Sequence, residues 1–246
     1  MRTRVAALLV ALVVAGGGCD GGGDGASGTT TAADGTTTTA AAGGGGGDAS
    51  TTTAPAPAAD PELEDVVLRQ GDFPPGWTSE PSDDPDDEEA EAALRRCLGL
   101  DVGTAERPEA RSPDFSVGDA ITQASSSVDR APDMATVDRE YAAITGPRFL
   151  DCATRQFDEV IAEEAAGAQF APAKAARLPF PAYGDGTAAV RLTTTLSAEG
   201  QQLPIVADLV FVRKGLLGMS FSFINAGGPF DAALAADLVR KVVARA

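Results

Sequence analysis

Residues 187–226 constrain the fold more than any other part of the chain. Three apolar runs, 187–198, 201–213 and 216–226, are separated by Glu199-Gly200 and Lys214-Gly215. Two-residue breaks containing Gly, set between β-rich runs, read as tight hairpin turns. Three long antiparallel strands must then lie side by side. Tight turns also fix register: Arg191 should face Asp208, Val210 should face Met219, and Asp208 should face Phe221. Strand alternation sends Arg191, Val206, Asp208, Val210, Val212, Met219, Phe221 and Phe223 to one face. The other face receives Val190, Leu192, Leu196, Leu203, Ile205, Leu209, Phe211 and Ile224, with the small residues Gly218, Ser220 and Ser222. Both faces are apolar, and neither can be left bare to water over a large area. Either helices cover both, or one face lines a cleft. Arg191 and Asp208 read first as an ion pair across neighbouring strands. In a cleft they would be a polar anchor in an apolar small-molecule site. Leu209 and Phe211 are the apolar ligand-binding candidates.

The flanking residues supply helices. Asp60-Pro61 opens a short one carrying Leu63, Val66 and Val67. The run Asp83 to Glu91, with seven acids, leads into Ala92–Leu98, whose Arg95 and Arg96 suit a helix C-terminus. A strand is expected over 119–129. A helix over 134–145 follows, with Met134, Val137, Tyr141 and Ile144 on one face. Gly146-Pro147 breaks it, and a second helix runs to about Ala166. A strand over 168–178 precedes the three long ones, and a last helix covers 230–245. The expectation is an α+β domain over 61–246, with a mainly antiparallel, bent sheet of about five strands packed with helices.

The first 60 residues read differently. Arg2 and Arg4 precede an apolar run, Val5–Ala15, that is too short to span a bilayer and suits an export signal. Gly16-Gly17-Gly18-Cys19 follows, a small residue immediately before a Cys. Residues 1–18 are therefore expected to be a removable signal, with lipid on Cys19. Ordinary cleavage after Ala15, giving a secreted chain, is the alternative. Residues 19–60 hold Gly and Thr runs, no aromatic and no basic residue. Such a segment cannot bury enough apolar surface to offset its ordering entropy and reads as a disordered tether. Its reach would be about 35 Å.

Composition removes several function classes. The chain has 36 acidic and 19 basic residues and a net charge of −17. Losing Arg2 and Arg4 with the signal takes −17 to −19, which disfavours nucleic acid as a partner. There is no His, so Ser-His-Asp and Cys-His catalysis are excluded. Ser125-Ser126-Ser127 and Ser220-x-Ser222 offer hydroxyls, but none lies at a suggestive spacing from Lys174, Lys214 or Lys241. The acidic run 83–91 lacks the loop spacing of a calcium site and reads as a solvated helix start. No cofactor, metal or catalytic residue is assigned.

With Cys19 acylated, Cys97 and Cys152 remain in an oxidising compartment, both on expected helices. A bond between them is the economical reading, and two isolated buried thiols the alternative.

Several of these features together resemble a group of actinobacterial cell-envelope lipoproteins. They are the lipobox-like Cys19, the Gly/Thr/Ala tether and the run Leu68-Arg69-Gln70-Gly71-Asp72-Phe73-Pro74-Pro75-Gly76-Trp77. A Cys in an early helix, another in the helix after the first strand, and the Val212-Arg213-Lys214-Gly215 hairpin complete the set. Residues 61–246 are similar to the extracellular sensor domain of actinobacterial serine/threonine kinases and to related sensor-domain-containing lipoproteins. In the kinase sensors a second disulfide is expected, for which this chain has no cysteines. The resemblance implies an α+β domain with a bent antiparallel sheet and a ligand-binding cleft, and no catalytic residues. The function expected is a non-enzymatic, sensor-like ligand-binding domain for an apolar or wall-derived ligand. Its lipid anchor would hold it to the outer face of the cell membrane. The alternative is a module that docks onto another envelope protein.

Overall fold

The computed structural model describes residues 61–82, 86–100, 107–118, 122–164, 169–198 and 201–246, all within one compact unit. The expected signal, Cys19 and the tether lie outside these residues.

In chain order the elements are α1 (Pro61–Glu64), a 3-10 turn (Gln70–Asp72), β1 (Trp77–Glu80), α2 (Asp86–Leu98), β2 (Glu109–Arg111) and β3 (Asp114–Val117). Then come β4 (Thr122–Arg130), α3 (Met134–Thr145), α4 (Arg148–Glu164), β5 (Gln169–Phe170) and β6 (Lys174–Arg177). The chain closes with β7 (Gly186–Ala198), β8 (Gln201–Lys214), β9 (Leu217–Ala226) and α5 (Ala232–Val243). This is the α+β arrangement expected, with nine strands among the described residues in place of about five. The additional strands are the short ones. β1, β2 and β3 have four, three and four residues, too few for an alternation pattern to show. The strand expected over 168–178 is two pieces, because Pro172 has no N–H to continue the ladder. The N–H of Ala173 turns instead to Asp158 Oδ1 on α4, at 2.8 Å.

The sheet order is β1-β3-β4-β9-β8-β7-β5, with β2 also on β4 and β6 also on β7. Every pairing is antiparallel. β7 and β8 meet in the expected register, Arg191 opposite Asp208. The β8–β9 register differs by two residues. Val210 faces Phe221 and Asp208 faces Phe223, because Lys214 stays on the strand opposite Leu217. Two forces hold it there. Its Nζ donates to the carbonyls of Val243 and Ala246, at 3.1 and 2.6 Å. Gly215, at φ 58°, supplies the left-handed conformation needed at the first position of a two-residue loop. A shift of two preserves the side-chain period, so the division into faces is as expected.

Helices cover both faces. On the first, Val210, Val212, Met219, Phe221 and Phe223 pack with Leu63, Val66 and Leu68 near α1 and with Leu238, Val239 and Val242 of α5. On the second, Val190, Leu192, Ile205, Leu209, Phe211 and Ile224 pack with Leu94 of α2, Ile144 of α3 and Phe149, Phe157 and Ile161 of α4. Local chemistry sets the helix starts. Asp133 Oδ1 accepts from the Thr136 N–H (2.7 Å), and Asp231 Oδ1 from Ala233 and Leu234 (2.8 and 3.0 Å).

The Leu68–Trp77 run forms a corner fastened to the C-terminus. Asp72 accepts from the Arg69 N–H at 3.0 Å and from both terminal nitrogens of Arg245 at 2.9 Å. Arg245 also donates to the carbonyls of Asp65 and Val67. The Leu68 N–H donates to Ser126 Oγ on β4 at 2.8 Å, and Phe73 stacks on Phe115 with centroids 4.4 Å apart. The run thus serves packing. Arg245→Ala would leave the Asp72 carboxylate buried with less compensation. A loss of about 2 kcal/mol is expected, below the full cost of breaking a buried pair because Arg245 is partly exposed. Urea denaturation of the variant checks it.

Candidate functional site

Alternation decides what the sheet can present. Arg191 and Asp208 do form the expected pair, with Nε to Oδ1 at 2.6 Å and Nη2 to Oδ2 at 2.7 Å. They lie on the first face. Leu209 and Phe211 lie on the second, so the four candidates do not share one cleft. Leu209 is sealed in the core, 1% exposed. Phe211 sits edge-on to Phe149 of α4 at 5.4 Å. Cys97 on α2 and Cys152 on α4 are joined as a disulfide, Cα to Cα 5.9 Å.

The second face changes character across its width. Where β8 and β7 run it is aliphatic. Where β4 and β9 run it is polar: Ser125 pairs with Ser222, Ser127 with Ser220 and Asp129 with Gly218. These side chains are buried, and the hydroxyls of Ser125, Ser220 and Ser222 have no hydrogen-bond partner. An unsatisfied buried hydroxyl costs more than an apolar replacement of its shape. Ser222→Ala is therefore expected to stabilise the domain by about 1 kcal/mol in chemical denaturation.

Charges gather at the same end. Glu140 of α3 accepts from Arg107 at 2.9 and 3.2 Å and from Arg95 of α2 at 3.1 Å. Asp129 of β4 receives Arg107 only at 3.4 Å, and its Oδ1 has no partner. Glu91 of α2 meets Arg111 of β2 at 3.4 Å. Burial drives the Glu91 carboxyl up to about 9, with Arg111 opposing and Glu109 adding to the rise. Burial also lifts Asp129 to about 7; the Glu140 charge adds to this and Arg107 works against it. Burial disfavours the Arg107 charge, but the hydrogen bond and charge of Glu140 outweigh that and raise its pKa.

Beside Asp129 the surface opens into a cleft between α3 and the β4, β8 and β9 strands. Its apolar walls include Val137, Ile144 and Phe211, and Asp129 and Glu140 supply the carboxylates. The cleft offers about 30 Å³, room for a water or two. The rim is Arg213, stacked over the Tyr141 ring at 4.8 Å and paired with Asp138. Gly186 makes this stack possible, since a Cβ there would come within 2.9 Å of both Arg213 Nε and Tyr141 Cζ. A second, shallower hollow of about 280 Å³ lies by Thr145, Arg177 and Phe180. Its Arg177 is already engaged, donating to the Gly146 carbonyl at 2.7 Å.

Phe211 is the one sequence candidate that lines the cleft. Asp129, Glu140 and Arg107 were missed. A signal existed for Glu140, an acid inside the apolar stripe Val137, Tyr141, Ile144. Asp129 continues the alternation of Ser125 and Ser127. Among the described residues no group of three or more His, Cys, Asp or Glu is placed to hold a metal ion, and no helix is long and apolar enough to cross a membrane.

No protein-family model matches the chain. No curated protein matches it at a significant level. Among solved structures, the chain is similar to a protein of unknown function from Pseudomonas aeruginosa. The identity is 21%, over 51% of this chain and 73% of the other, with a TM-score of 0.21. That score is too low to define a shared fold.

Proposed function

We propose that residues 61–246 form a non-enzymatic, sensor-like ligand-binding domain. In this reading, lipid on Cys19 holds it to the outer face of the cell membrane. The observation that carries the binding reading is the cleft beneath the Tyr141–Arg213 stack, where the buried Asp129 keeps an unpartnered oxygen beside apolar walls. Small-molecule sites combine such walls with a few placed polar groups. The Cys97–Cys152 bond supports an oxidising compartment. The resemblance to envelope sensor lipoproteins supports the anchor.

The ligand site proposed is displaced from the one the sequence suggested. Arg191 and Asp208 act as a structural pair, and Leu209 as core. The reading is tested by narrowing the cleft. Val137→Phe should abolish retention of a ligand by the exported protein, whereas Arg191→Ala should leave it unchanged. Equal retention by the Val137→Phe protein would refute the site.

A second reading, docking onto an envelope protein, draws on the exposed Met134 and Leu216. Leu216 lies between β8 and β9, and its carbonyl accepts from the N–H of Ala131, three residues before Met134, at 2.9 Å. In-cell cross-linking that captures one dominant partner, lost on Met134→Asp with Leu216→Asp, would favour it.

A further inference from the structure

We infer that the cleft takes the primary ammonium end of a ligand with a short apolar stem, seated on Asp129. The inference rests on the ligand-binding reading and names the ligand class. It begins with an imbalance between two neighbouring carboxylates. Arg107 makes its two shorter contacts to Glu140, at 2.9 and 3.2 Å, and Arg95 adds a third at 3.1 Å. Asp129 is left with one contact at 3.4 Å and an Oδ1 that meets no donor, although its side chain is only 2% exposed. An ionised carboxylate offers about four acceptor positions. Leaving the Oδ1 positions empty in the interior is costly for the ionised form, and without a ligand burial makes Asp129 hold a proton up to about pH 7.

Among the described residues, the cations Arg213 and Arg111 near the cleft are already engaged. Arg213 pairs with Asp138 and stacks on Tyr141, and Arg111 bonds Glu109 and Glu91. A donor that also brings positive charge would stabilise the ionised form of Asp129 in place of that proton. Size narrows the choice. The space of about 30 Å³ admits a water-sized head. An ammonium group meets that limit, and a planar guanidinium with five N–H donors is larger. Val137, Ile144 and Phe211 give the methylenes behind the head an apolar wall. A carboxylate or phosphate head would face Asp129 and Glu140 and be repelled.

The test compares three probes of one shape, n-butylammonium, n-butanol and n-butyrate, titrated into the exported full chain and followed by protein NMR. Butylammonium should bind at least tenfold more tightly than butanol, and butyrate should not bind. Asp129→Asn should remove the preference. Val137→Phe, which keeps Asp129, should weaken both butylammonium and butanol, so a poorly folded Asp129→Asn does not leave the question open. Equal binding of butanol and butylammonium, or a preference that survives Asp129→Asn in a folded protein, overturns the ammonium assignment. If butanol still binds in a Val137→Phe-sensitive manner, the cleft reading stands without it. If none of the three binds, the assignment fails. If the exported protein also carries no ligand, the cleft reading fails with it.

Discussion

Replacing Cys97 and Cys152 together by Ser is expected to cost about 4 kcal/mol of stability, the chain-entropy value for a loop of this length. The bond joins residues separated by 55 positions. In a domain of this size such a loss lowers the melting temperature by about 12 °C. The effect should be local as well as global. The bond ties the last turn of α2 to α4, and α2 carries Glu91 and Arg95 over the polar part of the sheet. That layer, with its unpaired hydroxyls, offers α2 little adhesion of its own. Hydrogen exchange in the double variant should therefore accelerate first in α2 and β4, while β7 and β8 stay protected. Thermal denaturation with and without reductant checks the first part. The wild type should fall to the variant's melting point when reduced, and the variant should not respond. An unchanged wild-type transition under full reduction would contradict it.

The second large effect is on pH dependence. Glu91 keeps its proton in the folded protein up to about pH 9, against an ordinary 4.5. Between those values the folded state binds more protons than the unfolded state. Stability is therefore highest below pH 4.5 as far as Glu91 is concerned, and declines as pH rises towards 9. Asp129 acts in the same direction over a narrower window, between its ordinary 3.8 and about 7. One fully coupled proton changes stability by about 1.4 kcal/mol per pH unit. At pH 7, burying Glu91 accordingly costs about 3 kcal/mol. Glu91→Gln removes that proton linkage while keeping the shape and an acceptor for Arg111. It should stabilise the domain at pH 7 to 8 and flatten the decline, leaving the part due to Asp129. Urea unfolding across pH 5 to 9 gives the answer. A slope identical to wild type would show that Glu91 ionises normally.

These effects concern residues that a sequence reading reaches unevenly. The long hairpin strands were legible because Glu199-Gly200 and Lys214-Gly215 bracket runs with a strict two-residue period. That period survives the two-residue difference at Gly215. The helices 134–145 and 148–164 were legible from their apolar stripes and the Gly146-Pro147 break. The short strands β1, β2 and β3 were not, because their pairing comes from contacts across the chain. Trp77 faces Val117, and Arg111 faces Ser127.

The candidate site follows the same division. Arg191 and Asp208 sit on adjacent strands in the register that the Glu199-Gly200 break in the sequence predicts, so their pairing could be derived. Asp129, Glu140 and Arg107 come from β4, α3 and the segment before β2. Only the folded sheet brings them together. Phe211 was assigned to the right face, but the helices that cover that face decide that it lines a cleft while Leu209 does not.

The measurement that bears most directly on the ligand-binding reading is native mass spectrometry of the full chain, exported and purified from membranes. The denaturing spectrum of the same sample fixes the covalent mass, including any acyl group on Cys19. The account predicts a retained non-covalent adduct in the native spectrum that disappears in Val137→Phe. A native mass equal to the denatured one, allowing for bound water and salt, or an adduct undiminished by Val137→Phe, would contradict it.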